Sequence, residues 1–213
     1  MQNKNNKLKS FFKLLAMDGA RIIASALIPY FRMKRLTPDG QKYKGRIKGG
    51  ALIAANHTSY IDPFVVGIAF WYRRMNILIA KTVMGGRIRS ALLRGAGGIK
   101  IDRHSTDLDA IKEAVEVLKK GRLLAIFPQG GINAENDVHS LKSGAVFMAL
   151  RAGTPIVPMY IRPKKHWYSR KVVVIGETIY PSEICPKKMP NTADIENITK
   201  ILADGLAKCK NAI

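Results

Sequence analysis

The chain predicts an α/β fold in which a mostly parallel central sheet is covered by helices on both faces, preceded by an N-terminal amphipathic helical segment. Two observations carry this expectation. Short, mostly apolar strand-like runs alternate with longer stretches of helical periodicity. Such strand–helix alternation argues for a largely parallel sheet with helices on both faces. At 213 residues and 47% apolar composition, the chain is long enough for one domain with a full core.

Taken in order, residues 1–35 form an amphipathic membrane-interface segment and residues 36–213 the main domain. The first segment carries eight Lys and Arg, from Lys4 to Arg35, against the single acid Asp18. Phe11, Phe12, Leu14, Leu15, Ile22 and Ile23 lie between them. The longest uncharged run, 22–31, is too short to span a bilayer and contains Pro29. Ala24-Ser25-Ala26 has the look of a signal cleavage site, yet Lys13, Asp18 and Arg21 break the apolar region such a signal needs. An interface-lying helix fits this pattern, with a helix that caps the core as the alternative.

Strands are expected at 51–55, 76–80, 99–101, 123–127, 156–161 and 172–175. A helix over 106–120 places Leu108, Ile111, Val115 and Leu118 on one face, with Thr106 to cap its start and Gly121 to close it. Residues 141–152 and 193–208 show the same periodicity, and the Pro- and Lys-rich 181–190 is a surface connection. In such a sheet, chemistry sits on the loops at strand ends, where His57, Arg103 and Gln129 all fall.

A net charge of +21 calls for an anionic partner. The Lys and Arg are spread along the chain with no zinc-ligand spacing or RNA-binding aromatic signature, which argues against nucleic acid. An anionic membrane surface suits the basic, apolar N-terminus better. Cys185 and Cys209 make no disulfide framework and fit a reduced cytosolic setting. His104, His139 and His166 lack ligand spacing, so no metal site is expected.

The chemistry concentrates in Asn56-His-Thr-Ser-Tyr-Ile-Asp-Pro63, directly after the apolar run 51–55. An imidazole whose tautomer is fixed by a carboxylate can act as a base near neutral pH. The spacing lets Asp62 fold back on His57 across one turn. Ser59 is a turn residue rather than a nucleophile, since nothing beside it repeats a nucleophile elbow. Taken alone, such a pair also occurs in turns and caps.

Three further blocks follow: Gly97 to Arg103, Phe127-Pro-Gln-Gly-Gly131, and Pro155-Ile-Val-Pro-Met159. In that order the chain, over about residues 50–165, resembles the glycerolipid acyltransferases, whose best-known members are the lysophosphatidate acyltransferases. Asn56, His57, Ser59 and Asp62 match the first block, Gly97 and Arg103 the second, and Val157 and Pro158 the fourth. The third departs. Where the family has Phe-Pro-Glu-Gly-Thr-Arg-Ser, this chain has Gln129 for the Glu and Ile132 for the Arg. In the family that Arg is implicated in holding the acceptor's phosphate, and an isoleucine cannot hydrogen-bond an anion. Gln129 can still accept a hydrogen bond through its amide oxygen.

The resemblance implies transfer of a fatty acyl chain from acyl-CoA or acyl carrier protein, as donor substrate and not cofactor, to the hydroxyl of lysophosphatidate in phospholipid synthesis. It implies a peripheral or monotopic protein on the cytoplasmic face of the membrane. His57 is then the base and Asp62 its orienter. Arg103 and Lys142 are candidates for the acceptor headgroup, with Lys81, Gln129 and the backbone of Gly130 as further substrate contacts. Gly131 and Gly144 share that backbone possibility, or are turn glycines. Met84, Met148 and Met159 line an acyl groove or fill the core. Two alternatives stand beside this reading: another lyso-lipid acceptor, and a non-catalytic lipid-binding homologue.

Overall fold

Ala51–Ala55 (β2) has no polar side chain and no exposed residue, a state open only to a strand paired on both edges and covered on both faces. The computed structural model describes residues 8–213 except 9, 13, 20–21, 24–32, 103–104, 106, 133–140, 164–170 and 188. The other strands are Lys34–Leu36 (β1), Met75–Ala80 (β3), Gly98–Ile101 (β4), Leu123–Ile126 (β5), Ile156–Ile161 (β6) and Val172–Ile175 (β7). They form one seven-stranded sheet in the order β1-β7-β6-β2-β5-β3-β4. Every neighbouring pair is parallel except β6 with β7. The helices are Asp62–Ala69 (α1), Arg87–Gly95 (α2), Leu108–Lys119 (α3), Gly144–Ala152 (α4), Pro181–Ile184 (α5) and Thr192–Asn211 (α6), with further helical residues between 8 and 23.

The strand pleat sends alternate residues of β2 to opposite faces. Leu52 and Ala54 join the core layer with Ala110, Ala114 and Leu118 of α3, Val146 and Met148 of α4, and Ile198 of α6. Ala51, Ile53 and Ala55 join the other layer with Val65 and Val66 of α1, Phe70 and Met159. The methionines at 84, 148 and 159 are all buried, and the last two belong to these layers, so core filling is their use.

The expected strands are present, with β3 and β4 each starting one residue earlier and β5 stopping at Ile126. What periodicity missed was held by other forces. β1, Lys-Arg-Leu, has no apolar run and exists through backbone pairing with β7 at the sheet edge. It also straddles residue 35, where the sequence placed the end of the N-terminal segment. α1 opens on Asp62, inside a stretch read as a loop, and α5 is one turn within the 181–190 connection. α2 has no fully buried residue, and so no strong apolar stripe turned inward to betray it.

Helix ends also moved. Asp107 caps α3 by accepting the Ala110 N–H at 3.0 Å, while the expected cap, Thr106, lies outside the described residues. The Ala110 N–H, with that of Asp102 at 3.0 Å, holds the Asp107 carboxyl below its usual range. α4 begins at Gly144 rather than 141, and α6 outruns 193–208 at both ends, its start fixed by the reciprocal capping box of Asn191 and Asp194.

Gly50, at the entry to β2, lies against α3: a Cβ there would stand 2.1 Å from the Leu118 carbonyl oxygen. Backbone cannot yield as a flexible side chain can. Gly50→Ala should therefore cost about 3 kcal/mol by overpacking, which for a chain of this size is a drop of roughly 6–12 °C in thermal midpoint. Calorimetry checks it.

Candidate active site

Parallel pairing decides what gathers at the carboxyl end of β2. Ala54 pairs with Ile126 of β5 and Ala55 with Met159 of β6. Continuing both strands in step brings residues 56–57 beside 127–129 on one side and 160–161 on the other. The contacts follow that register. The His57 N–H donates to Gln129 Oε1 at 2.9 Å, and the His57 ring stacks on Phe127 with centroids 4.2 Å apart. On the β6 side, Asn56 Nδ2 donates to the Ile161 carbonyl at 3.0 Å, and Asn56 Oδ1 accepts the Ile161 N–H at 2.6 Å. The amide of Asn56 thus prolongs the β2–β6 ladder by one rung after the backbone has turned away.

That turn is closed by Asp62. Its Oδ2 accepts the N–H groups of Thr58 and Ser59, each at 2.7 Å, and lies 3.2 Å from His57 Nδ1. A carboxylate only accepts, so Nδ1 carries the proton and Nε2 is left as the basic nitrogen. Asp62 is wholly buried, in the first turn of α1 with Pro63 behind it. Two backbone donors and the helix N-terminus offset the cost of burying its charge. Its second oxygen, Oδ1, is buried without a hydrogen bond. His57 is 8% exposed, so the ring is held in protein and reached through a small opening. Ser59 serves the turn: its N–H goes to Asp62 and its Oγ faces the Ile61 N–H at 3.5 Å.

Gly130 has φ 78°, and a Cβ built on it would fall 2.9 Å from Cε and 3.2 Å from Nζ of Lys142. The Lys142 side chain therefore lies across this glycine, and the Lys142 backbone N–H donates to the Pro128 carbonyl at 2.9 Å. His57, Asp62, Gln129, Gly130 and Lys142 share one neighbourhood. Lys81 stands at the same sheet end, beyond β5, roughly 10 Å to the side at ordinary strand spacing. Its ammonium is 3.8 Å from Asp102, in a polar recess lined also by Lys100 and Lys112. Arg103 lies outside the described residues. Ile132 is on the surface beyond Gly130, 41% exposed. Gly131 lies in the same loop, and Gly144 opens α4.

Sequence reasoning assigned no role to two contributors, the Asn56 amide and the Phe127 ring. Both act between strands far apart in sequence, and the register that joins them could be read only from the paired sheet. Cys209 is inert by burial, which pushes its thiol up to about 12. Among the described residues, no group of three His, Cys, Asp or Glu side chains gathers as a metal site.

The acyltransferase family pattern matches residues 33–162. The chain is 25% identical over 167 residues to the 1-acyl-sn-glycerol-3-phosphate acyltransferase of Borreliella burgdorferi, covering 76% of this chain and 66% of that one. It is 25% identical over 169 residues to the Bacillus subtilis protein of the same name, covering 77% and 83%. With that of Streptococcus pneumoniae it shares 28% over 163 residues, covering 76% of this chain but 57% of the relative. Among solved structures it is similar to the 1-acyl-sn-glycerophosphate acyltransferase PlsC of Thermotoga maritima, with TM-score 0.58, 17% identity, and coverage of 90% of this chain and 79% of that one.

Asn56→Ala removes both partners of the Ile161 backbone groups and leaves a donor and an acceptor buried without replacement. It should destabilise the fold by about 3 kcal/mol. Denaturant unfolding of the purified variant measures this.

Proposed function

Because the chain belongs to the acyltransferase family, we propose that it moves a fatty acyl chain from an acyl-CoA or acyl carrier protein thioester to the free hydroxyl of lysophosphatidate, at a membrane surface. One observation carries the reading: a histidine held at the end of β2 with Nδ1 committed to a buried carboxylate and Nε2 left basic. The names of the curated relatives support the acceptor.

In this scheme Nε2 of His57 takes the acceptor hydroxyl's proton as the oxygen attacks the thioester carbonyl. The tetrahedral intermediate collapses with loss of the C–S bond, and the leaving sulfur recovers the proton from the imidazolium. Donor thioester and acceptor alcohol become ester and thiol, and no acyl-enzyme is formed. Asp62 holds the tautomer before transfer and stabilises the imidazolium during it. Phe127 and Gln129 keep the ring and its backbone from turning away.

The acceptor's phosphate needs cations, and the family arginine is absent at Ile132. Lys142 over Gly130, Arg103 by motif, and Lys81 in its recess are the replacements. An uncharged Ile132 also favours a second acceptor class, a lyso-lipid without a terminal phosphate. The protein's place is peripheral or monotopic on the cytoplasmic face. In support, Phe11, Phe12 and Leu15 are exposed on a basic N-terminal segment, and no described helix is long and apolar enough to cross a membrane.

Labelled acyl-CoA and acyl carrier protein offered with lysophosphatidate, and separately with lyso-lipids lacking a terminal phosphate, test the proposal. Ester formation with lysophosphatidate is expected; none with any acceptor would overturn it. His57→Ala should lower kcat by at least about 100-fold while circular dichroism stays native, and Asp62→Asn should be severe but milder. If the phosphate is recognised, Ile132→Arg should lower the KM for lysophosphatidate. If the native acceptor has no phosphate, the same change should raise that acceptor's KM by leaving a cation unpaired.

A further inference from the structure

We propose that α2 is a second lipid-docking surface, which lays Ile88 and Leu92 into an anionic membrane beside the N-terminal helical residues. This rests on the membrane reading above and assigns it to a surface outside the N-terminal segment.

A nine-residue helix in a folded domain ordinarily buries a stripe of its surface. α2 buries no residue. Ile88 is 80% and Leu92 70% exposed, and at i and i+4 they stand on one face. Gly95, seven residues after Ile88, falls on that face too. A Cβ at Gly95 would lie 3.9 Å from the Ala16 Cβ, and one at Gly97 would lie 3.0 Å from Met17 Cε. The N-terminal helical residues therefore approach α2 at its C-terminal end and leave Ile88 and Leu92 uncovered, while Phe11, Phe12 and Leu15 are exposed on the N-terminal side. Met17 is buried, and Asp18 pairs with both Nε and Nη2 of Arg74, at 2.9 and 2.7 Å, so the junction is anchored to the domain. Both elements that meet at this junction thus carry exposed apolar side chains.

Charge names the occupant. α2 carries Arg87, Arg89 and Arg94 and no acid. Two copies packed through this face would bring arginines against arginines on chains of net charge +21. Anionic headgroups pair with those guanidinium groups while Ile88 and Leu92 enter the acyl boundary. Because α2 follows β3, its first turn lies at the sheet end that carries His57, so docking there brings lipid to the side of the site.

The test is vesicle sedimentation with the full chain, on phosphatidylcholine alone and mixed with phosphatidylglycerol. Ile88→Ser/Leu92→Ser is compared with Phe11→Ser/Phe12→Ser, and turnover is followed on a short-chain acceptor dissolved below its micellar concentration. The α2 double variant should bind mixed vesicles at least about tenfold more weakly, with thermal midpoint and soluble turnover unchanged. Arg87→Gln/Arg89→Gln should lose the preference for anionic vesicles. If the α2 variant binds like the parent while the Phe11/Phe12 variant does not, the α2 assignment is wrong and membrane association stands. If the parent binds neither vesicle, the membrane reading falls and this inference with it. A parent that elutes as a dimer and an α2 variant that elutes as a monomer, with equal vesicle binding, would give the face to a second copy instead.

Discussion

One carboxylate oxygen organises the chemical end of this molecule. Asp62 Oδ2 collects the N–H groups of Thr58 and Ser59 and the His57 ring nitrogen, all within 3.2 Å. The first two bonds close the turn after β2, and the third selects the imidazole tautomer. A carboxylate can do this from full burial because it sits in the first turn of a helix, where backbone donors and the helix dipole meet its charge. Turn geometry, helix start and base orientation are thus one interaction. An amide in its place would present a donor as well as an acceptor, and the ring would lose its reason to keep Nδ1–H.

The sheet supplies what Asp62 cannot. β2 is the central strand, with β5 and β6 as parallel neighbours, so three strand ends open onto the same space. Phe127 stacks on the imidazole from the β5 side, and Gln129 takes the His57 N–H. Asn56 ties the β6 side. The replacement of the family's glutamate by Gln129 keeps a hydrogen-bond acceptor at this point and removes a charge from the neighbourhood of His57. The loop's other departure, Ile132, lies at the surface and leaves the brace around His57 untouched.

Much of this was legible in the sequence, and the limits have physical causes. β2, β6 and β7 could be bounded because strands buried on both faces write themselves as apolar runs. The His57–Asp62 contact could be anticipated because it is local, five residues apart. β1 could not, since a three-residue edge strand of Lys, Arg and Leu is held by backbone bonds to β7. α1 was hidden because it starts on the residue already claimed by the motif. The roles of Asn56 and Phe127 depend on partners 105 and 70 residues away, joined only by strand register. α2 was missed for the opposite reason: two of its large apolar residues, Ile88 and Leu92, face outward, where core-seeking periodicity does not look.

The proposed proton transfer depends on the His57 tautomer, and nitrogen-15 NMR of the imidazole ring measures it directly. With the ring neutral, Nδ1 should carry the proton and Nε2 should be bare, and the preference should weaken in Asp62→Asn. A proton resident on Nε2 in the native protein would contradict the account, because the nitrogen facing substrate would then have no lone pair with which to take a proton.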